Sequence, residues 1–510
     1  MDVTGKPGRE TLERGTSANE AVGAKERISL HGWLVILTIF IADALVQGGR
    51  ALFLVVILLW EEDFGWNITS LSGLMALVHV CNGLFTPLSG HLIDRKYPPY
   101  LVLSGGICFM ALCFACTAAL SENWHVWMVY GVMSGSAYGI MNLNVFSVAV
   151  LRCVPKSKSS FAVGIVTSGS TFGHFALVPC FSIVAEVFGW RAGYAALAVS
   201  TFLLVFPTVI LLKSINLLED DEPDDDVEKK NCSNNNKNKE VQGEGEGKGK
   251  GKGEICEKEL TLTNDVSENK RNNHFVHDLK HLIRLPQYWA LTYSFIVCGV
   301  TTTGFIETHL ISLATHDRNE NRNVAALAFS VLSAINGLFM IILGYVSDVY
   351  NRHKVLAFIF GFRGLVYLLL MLPFADLTDQ RIILFVFASL FGSVDYSVVP
   401  VVVSIVRSLV GDSCVGLGVG ILLLWHSIGA AAGSYIGGAM FDRDDNYYNA
   451  IILCSVLCAT ATAACVSMSS CGDGSARFSA YLMAECDEMD SDLKDLDLDL
   501  EESQVTRRAL

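Results

Sequence analysis

Apolar positions in this chain do not alternate with polar ones; they run on before a polar break ends them. Twelve such stretches fall at about 32–59, 70–92, 98–121, 124–151, 159–187, 191–213, 287–313, 324–347, 354–374, 381–408, 415–440 and 447–469. A run of about 20 apolar residues spans the hydrocarbon core of a bilayer. Backbone polar groups at that depth must find partners within the segment, so each run predicts an α-helix. A membrane barrel would need strands of about ten residues that alternate, and these runs do not. The predicted class is an all-α polytopic membrane protein with twelve transmembrane helices in two six-helix halves.

The polar breaks set the domains. Residues 1–30 predict a polar tail, 31–215 one bundle, 216–284 a linker, 285–470 a second bundle and 471–510 an acidic tail. The linker holds an acidic run from Glu219, an Asn-rich patch and a Gly/Glu/Lys repeat from Gly243 to Gly253. Such composition cannot bury enough apolar surface to fold. The two bundles echo one another. Gly90, Asp94, Arg95 and Lys96 close the second run; Gly344, Asp348, Arg352 and Lys354 close the eighth. A glycine-rich fifth run in each half, Gly164 to Tyr194 and Gly416 to Tyr448, repeats the echo. Small residues let helix backbones approach closely, and parallel repeats are a transporter architecture.

Composition adds little to this picture. The chain is 52% hydrophobic and 17% charged, against about a quarter charged in soluble domains. Its net charge of −14 sits largely in the linker and tail, where like charges are solvated. The 15 cysteines lie mostly within apolar runs, where thiols act as small hydrophobes, so no metal site is expected. No phosphate-cradling loop or nucleophile elbow occurs, and no enzyme activity, cofactor or nucleic-acid partner is expected. The first run is full length and is expected to stay in the mature protein. Cations in the short loops, among them Arg95, Lys96, Arg152, Arg352 and Lys354, place both termini in the cytoplasm. The expected location is a multi-pass membrane protein of the plasma membrane, with an organelle membrane as the alternative.

The Gly-x-x-x-Asp-Arg pattern after the second run, with its copy after the eighth, resembles the signature loop of the major facilitator superfamily. That resemblance implies twelve helices in two halves and a gating role for Asp94, Arg95, Asp348 and Arg352. After Lys96 the first copy departs from the family pattern, with Tyr97, Pro98 and Pro99 in place of the usual glycine and cation. Within the superfamily the chain is similar to the monocarboxylate-transporter branch and its microbial organic-anion relatives. The residues concerned are Asp63 to Trp66, Gly164 to Gly173, and Phe188 to Arg191. That branch carries a first-span lysine near the cavity, and Arg50 falls at the matching place. It also carries an aspartate–arginine pair in the eighth span; Asn336 and Met340 hold those places here.

Ionisable groups at membrane depth cost several kcal/mol, so each is a functional candidate. Asp43, Gln47 and Arg50 lie at i, i+4 and i+7, on one helical stripe. Asp43 and Arg50 stand ~10 Å apart along the axis, too far to pair, so another partner must satisfy each. Arg50 is expected to bind a substrate anion, with Gln47, Tyr138, Asn142 and Asn336 as further substrate-binding candidates. Asp43, Glu307 and Asp395 are the proton-coupling candidates. Glu307, with Thr303 a turn earlier, has a second reading as a group reaching outer water, and Asp395 as a partner of Arg363. Tyr138 and Asn142 have helix–helix hydrogen bonding as theirs. His309 reads as interfacial, and His79, His174 and His426 as scattered.

These features predict a secondary active transporter of a small organic solute, a carboxylate anion with a proton, rocking between two access states. Carriage of another organic solute (cation, sugar or amino acid) and a non-transporting nutrient sensor stay open as alternatives.

Overall fold

The computed structural model describes residues 28–94, 98–142, 145–146, 149–150, 153–154, 159–219, 284–372, 377–410 and 415–470. Most of the predicted linker, both predicted tails and Arg95 lie outside the described residues. So do the side chains of Asp94 and Asp348, although their backbones lie in the last turns of two helices.

Described segments of all twelve predicted runs are helical. The first half holds α1 (Leu30–Ala51), α2 (Phe53–Phe64), α3 (Ile68–Asp94), α4 (Pro99–Ala118), α5 (Asn123–Val126), α6 (Gly135–Ile140), α7 (Ser159–Phe188), α8 (Trp190–Leu203) and α9 (Val205–Glu219). The second half holds α10 (Pro286–Gly299), α11 (Glu307–His316), α12 (Arg322–Val349), α13 (Arg352–Leu369), α14 (Leu377–Gly392), α15 (Val398–Val410), α16 (Val415–Asp444) and α17 (Tyr448–Ser470). Helix α9 runs past the predicted linker start at 216. Two wide π-helical segments, Trp127–Ser134 and Val300–Ile306, join α5 to α6 and α10 to α11. Nine of the described helical segments are long and apolar enough to cross a membrane. The other three predicted spans are the fourth, the ninth, which carries Arg352, Lys354 and Arg363 in its 18 residues, and the tenth, which a turn breaks at 393–397.

Local chemistry sets the ends. Ser29 caps α1 by accepting from the Gly32 amide at 3.0 Å. Asn321 does the same for α12 from Asn323, and Asn351 for α13 from His353 and Lys354. Each cap satisfies backbone donors that have no intrahelical acceptor. Gly65 ends α2 with φ at 63°, a left-handed conformation that favours glycine.

Each half is tied together by a pair of glycines four residues apart. A methyl on Gly169 would sit 2.6 Å from the Phe40 carbonyl oxygen, and one on Gly173 only 2.1 Å from that of Ala44. In the second half, Gly429 and Gly433 meet the Ile296 and Val300 carbonyls at 2.3 and 2.2 Å in the same way. The first and fifth runs of each bundle therefore touch backbone to backbone, which is the physical content of the sequence echo. Gly173→Val is expected to force α1 and α7 apart, because a carbonyl cannot swing away as a side chain can. The expected cost is about 1–3 kcal/mol or more, read as lost monodisperse yield after detergent extraction. Gly164→Ala, with nothing within 4 Å, should leave the yield unchanged.

The halves meet along α3 against α16 and α7 against α12, with α2 against α11. One apolar core runs through the first half and crosses into the second through Trp60, Trp190, Phe305, Leu310, Phe329, Phe441 and Tyr447. A separate core, with Tyr288, Val355, Val401, Leu422 and Met468, stays within the second half. Polar links reinforce the shared end. The Thr69 amide donates to Asp442 Oδ2 at 2.8 Å, Ser182 Oγ to Asn323 Oδ1 at 2.6 Å, and Asn323 Nδ2 to Glu186. His316 Nε2 lies 3.4 Å from Glu61 Oε2. All of these lie at the end opposite the signature loops, so the halves are clasped there.

Candidate functional site

The site grows from interruptions in four helices. Arg50 precedes the kink at Leu52 between α1 and α2. Glu307 follows the π segment of the seventh span. Tyr396 and Asp395 sit in the turn between α14 and α15, and Tyr138 lies between the fourth span's π segment and its end at Ile140. Wide turns and broken helices free backbone groups and re-aim side chains, and they recur at functional sites in membrane carriers.

These breaks bring side chains from both halves together. Arg50 Nη2 donates to Glu307 Oε2 at 3.2 Å, with side-chain exposures of 12% and 4%. Tyr396 OH donates to the other oxygen, Oε1, at 2.7 Å. Arg50 Nη2 also reaches the Tyr396 oxygen at 3.4 Å, and Thr303 Oγ1 is 2.8 Å from it. The expectation that Arg50 needs a partner from another helix is met by Glu307. The second reading of Glu307, as a group reaching outer water, is overturned: the carboxylate is buried in an ion pair between the halves.

Asp43, on the same stripe as Arg50, turns instead toward α7. It is 3% exposed and packs at Gly169 and Ser170. Gln47, half-buried, lies between them, beside His174. Tyr138 is buried within the field of Arg50, and its hydroxyl has no hydrogen-bond partner among the described residues. Asn142 Nδ2 donates to Ser89 Oγ and to the Gly139 carbonyl, both at 2.7 Å, so it ties the fourth span to the second.

Asn336 holds the broken tenth span. Its Oδ1 accepts from the Tyr396 amide at 3.2 Å and its Nδ2 reaches Asp395 Oδ2 at 3.5 Å. Asp395 Oδ1 is buried with no partner among the described residues. The reading that Arg363 pairs with the Asp395 carboxylate does not hold. The guanidinium donates to the Val394 carbonyl and, at 2.6 Å, to the backbone carbonyl of Asp395. A turn between helices leaves carbonyls without ladder partners, and a buried donor must satisfy them. Arg363 thus anchors the turn between α14 and α15, supplied from α13.

Three histidines that read as scattered converge here. His174 of α7 has Nδ1 at 4.0 Å from Glu307 Oε1, while His79 of α3 and His426 of α16 both lie within the field of Arg50. Sequence spacing could not join residues from spans two, five and eleven. His309, expected at the interface, is instead fully buried, bonded to Tyr447 and the Ser434 carbonyl. Of the gating candidates, Arg352 donates to the Ser404 carbonyl at 3.3 Å, within the second half.

A side cavity of about 300 Å³ opens between α1, α7 and α12, lined by Phe40, Ser168, Thr171, Phe172, Phe175, Ser333, Ala334 and Gly337. It carries no ionisable side chain.

Comparison with known proteins agrees with the fold. The Major Facilitator Superfamily description matches residues 39–316 and 305–469. Monocarboxylate transporter 13 of Rattus norvegicus is 24% identical over 192 residues, 37% of this chain and 43% of that one. The chain therefore spans under half the length of that relative. Monocarboxylate transporter 12 of Rattus norvegicus is 19% identical over 433 residues, covering 83% of this chain and 82% of its own length. The MFS-type transporter hasB of Aspergillus fumigatus is 24% identical over 72% of this chain and 73% of its own. Among solved structures, a bacterial homolog of the human lysosomal transporter Spinster, inward-facing and unoccupied, superposes with a TM-score of 0.60. It is 14% identical and covers 87% of this chain and 98% of its own.

Proposed function

The chain belongs to the major facilitator superfamily, and from that premise we propose that it carries a small organic carboxylate across a membrane, by alternating access and with a proton. The observation that carries this reading is the Arg50–Glu307 pair, made by one residue from each half. A guanidinium presents a planar fork suited to a carboxylate. The solute's carboxylate takes Arg50 from Glu307, and Tyr396 and Tyr138 offer hydroxyls to it. The empty pair is neutral, so an incoming anion alone would leave one uncompensated negative charge in a medium that penalises it. One proton entering with the anion restores neutrality. Glu307, Asp43 and Asp395 remain the carboxyl candidates for holding it. Asp94, Arg95, Asp348 and Arg352 are proposed to hold the signature-loop end shut in the opposite access state. The names of the monocarboxylate transporter relatives favour the same substrate class.

A second reading, carriage of a solute bearing a cation, rests on the bare buried Oδ1 of Asp395. Reconstituted vesicles separate the two. Uptake of radiolabelled short-chain and aromatic carboxylates should rise severalfold when the source side is made acidic, and organic cations and sugars should not compete. Uptake confined to cations or sugars would overturn the carboxylate reading.

A further inference from the structure

We propose that the proton is carried on the imidazole of His174, with Glu307 acting as its counter-ion rather than as the carrier. This rests on the carboxylate reading above and assigns the proton to a residue. The geometry separates two acids that sequence reasoning could not. Both Glu307 oxygens already accept donors, Oε1 from Tyr396 OH at 2.7 Å and Oε2 from Arg50 Nη2 at 3.2 Å. That is the bonding of a carboxylate, which accepts at both oxygens and has no proton to offer. His174 is 4% exposed, with Nδ1 at 4.0 Å from Glu307 Oε1 and Nε2 without a partner among the described residues. An imidazole holds one proton in its neutral form and two when charged, so the free nitrogen is a vacant seat for a second.

The charges then balance in both states. Empty, the cluster holds Arg50 and Glu307 as ions and His174 neutral. Loaded, the solute anion faces Arg50, and a proton taken from water on the entry side makes His174 an imidazolium facing Glu307. Release reverses both steps on the other side, and the proton returns to water there. The charged groups facing His174 from its neighbours are Arg50 of the first span and Glu307 of the seventh. Beyond them lie His79 and His426, both in the field of Arg50, with Asp43 toward α7 and Asp395 and Tyr396 in the tenth-span turn. His174 belongs to the first half and Glu307 to the second. The proton therefore turns a neutral contact across the midline into an attraction, and gaining it draws the halves together around the solute.

His174→Gln keeps a hydrogen-bonding side chain of similar size but cannot gain a proton. In vesicles, the variant cannot neutralise the loaded cluster, so its exchange of labelled for unlabelled carboxylate should fall and should no longer quicken as the pH is lowered. Its accumulation driven by a pH gradient should fall at least tenfold. Gradient-driven accumulation that survives His174→Gln would overturn the assignment. A wild-type measurement removes dependence on the variant's folding. Infrared difference spectra on adding a carboxylate at mildly acidic pH should show imidazolium bands and no new protonated-carboxyl band. A protonated-carboxyl band that Glu307→Gln abolishes would place the proton on Glu307 and overturn the proposal. Failure of the unaltered protein to move any carboxylate would instead sink the functional reading beneath it.

Discussion

Arg50→Gln is expected to lower carboxylate uptake by roughly 10- to 150-fold at every pH. The figure follows from the ~1.5–3 kcal/mol that a hydrogen bond to a charged group contributes, at tenfold per ~1.4 kcal/mol. The change also strips Glu307 of its counter-ion at 4% exposure, so some loss of folded protein should accompany it. Arg50→Gln with Glu307→Gln separates the two effects. The double variant removes the orphan charge and should recover folded yield, yet uptake should stay at the level of the single change. Labelled uptake in vesicles, normalised to monodisperse protein, is the measurement. Uptake within twofold of the unaltered protein in the single variant would exclude Arg50 from substrate binding.

Arg363→Met should act on folding rather than on binding. Arg363 is fully buried, and its guanidinium bonds the Val394 and Asp395 carbonyls while reaching Cys298 Sγ at 3.4 Å. Methionine fills similar space but donates nothing. Each orphaned carbonyl costs about 1–3 kcal/mol, against a total stability of about 5–15 kcal/mol for a typical domain. The turn at 393–397 would lose its anchor, and Asp395 would lose the nearest positive charge. Thermal unfolding of the detergent-extracted protein should shift down by many degrees, and yield should collapse. Arg363→Lys supplies one point-like ammonium rather than a planar fork, and should fall between. An Arg363→Met protein that unfolds at the original temperature would refute the anchoring role.

The spans were legible because apolar length is a local property, and Arg50 because a cation in the first run stands out. The repeat was legible too: its glycines sit four apart in both fifth runs, and close helix contact demands them. What joins these parts was not legible. Glu307 is 257 residues from Arg50, and nothing in the spacing of either run says they meet. Periodicity also assumes an unbroken 3.6-residue helix. The seventh span widens at Val300–Ile306, which sets Glu307 inward rather than toward outer water. The tenth span breaks at 393–397, so Arg363 finds backbone where an intact helix would have offered the Asp395 carboxylate. For Asn142 the residue type alone left substrate contact and helix–helix bonding open, and the structure gives it a bond to Ser89 on the neighbouring helix.

The apolar core that crosses between the halves at one end has a thermal consequence. To admit solute from that end, Trp60, Phe305, Phe441 and their neighbours must part and meet water. Newly wetted hydrocarbon raises heat capacity. The opening equilibrium should therefore curve with temperature instead of following a straight van't Hoff line, and cooling should weaken the clasp. A carrier built this way should open that end more readily in the cold, because the apolar contacts that close it weaken on cooling.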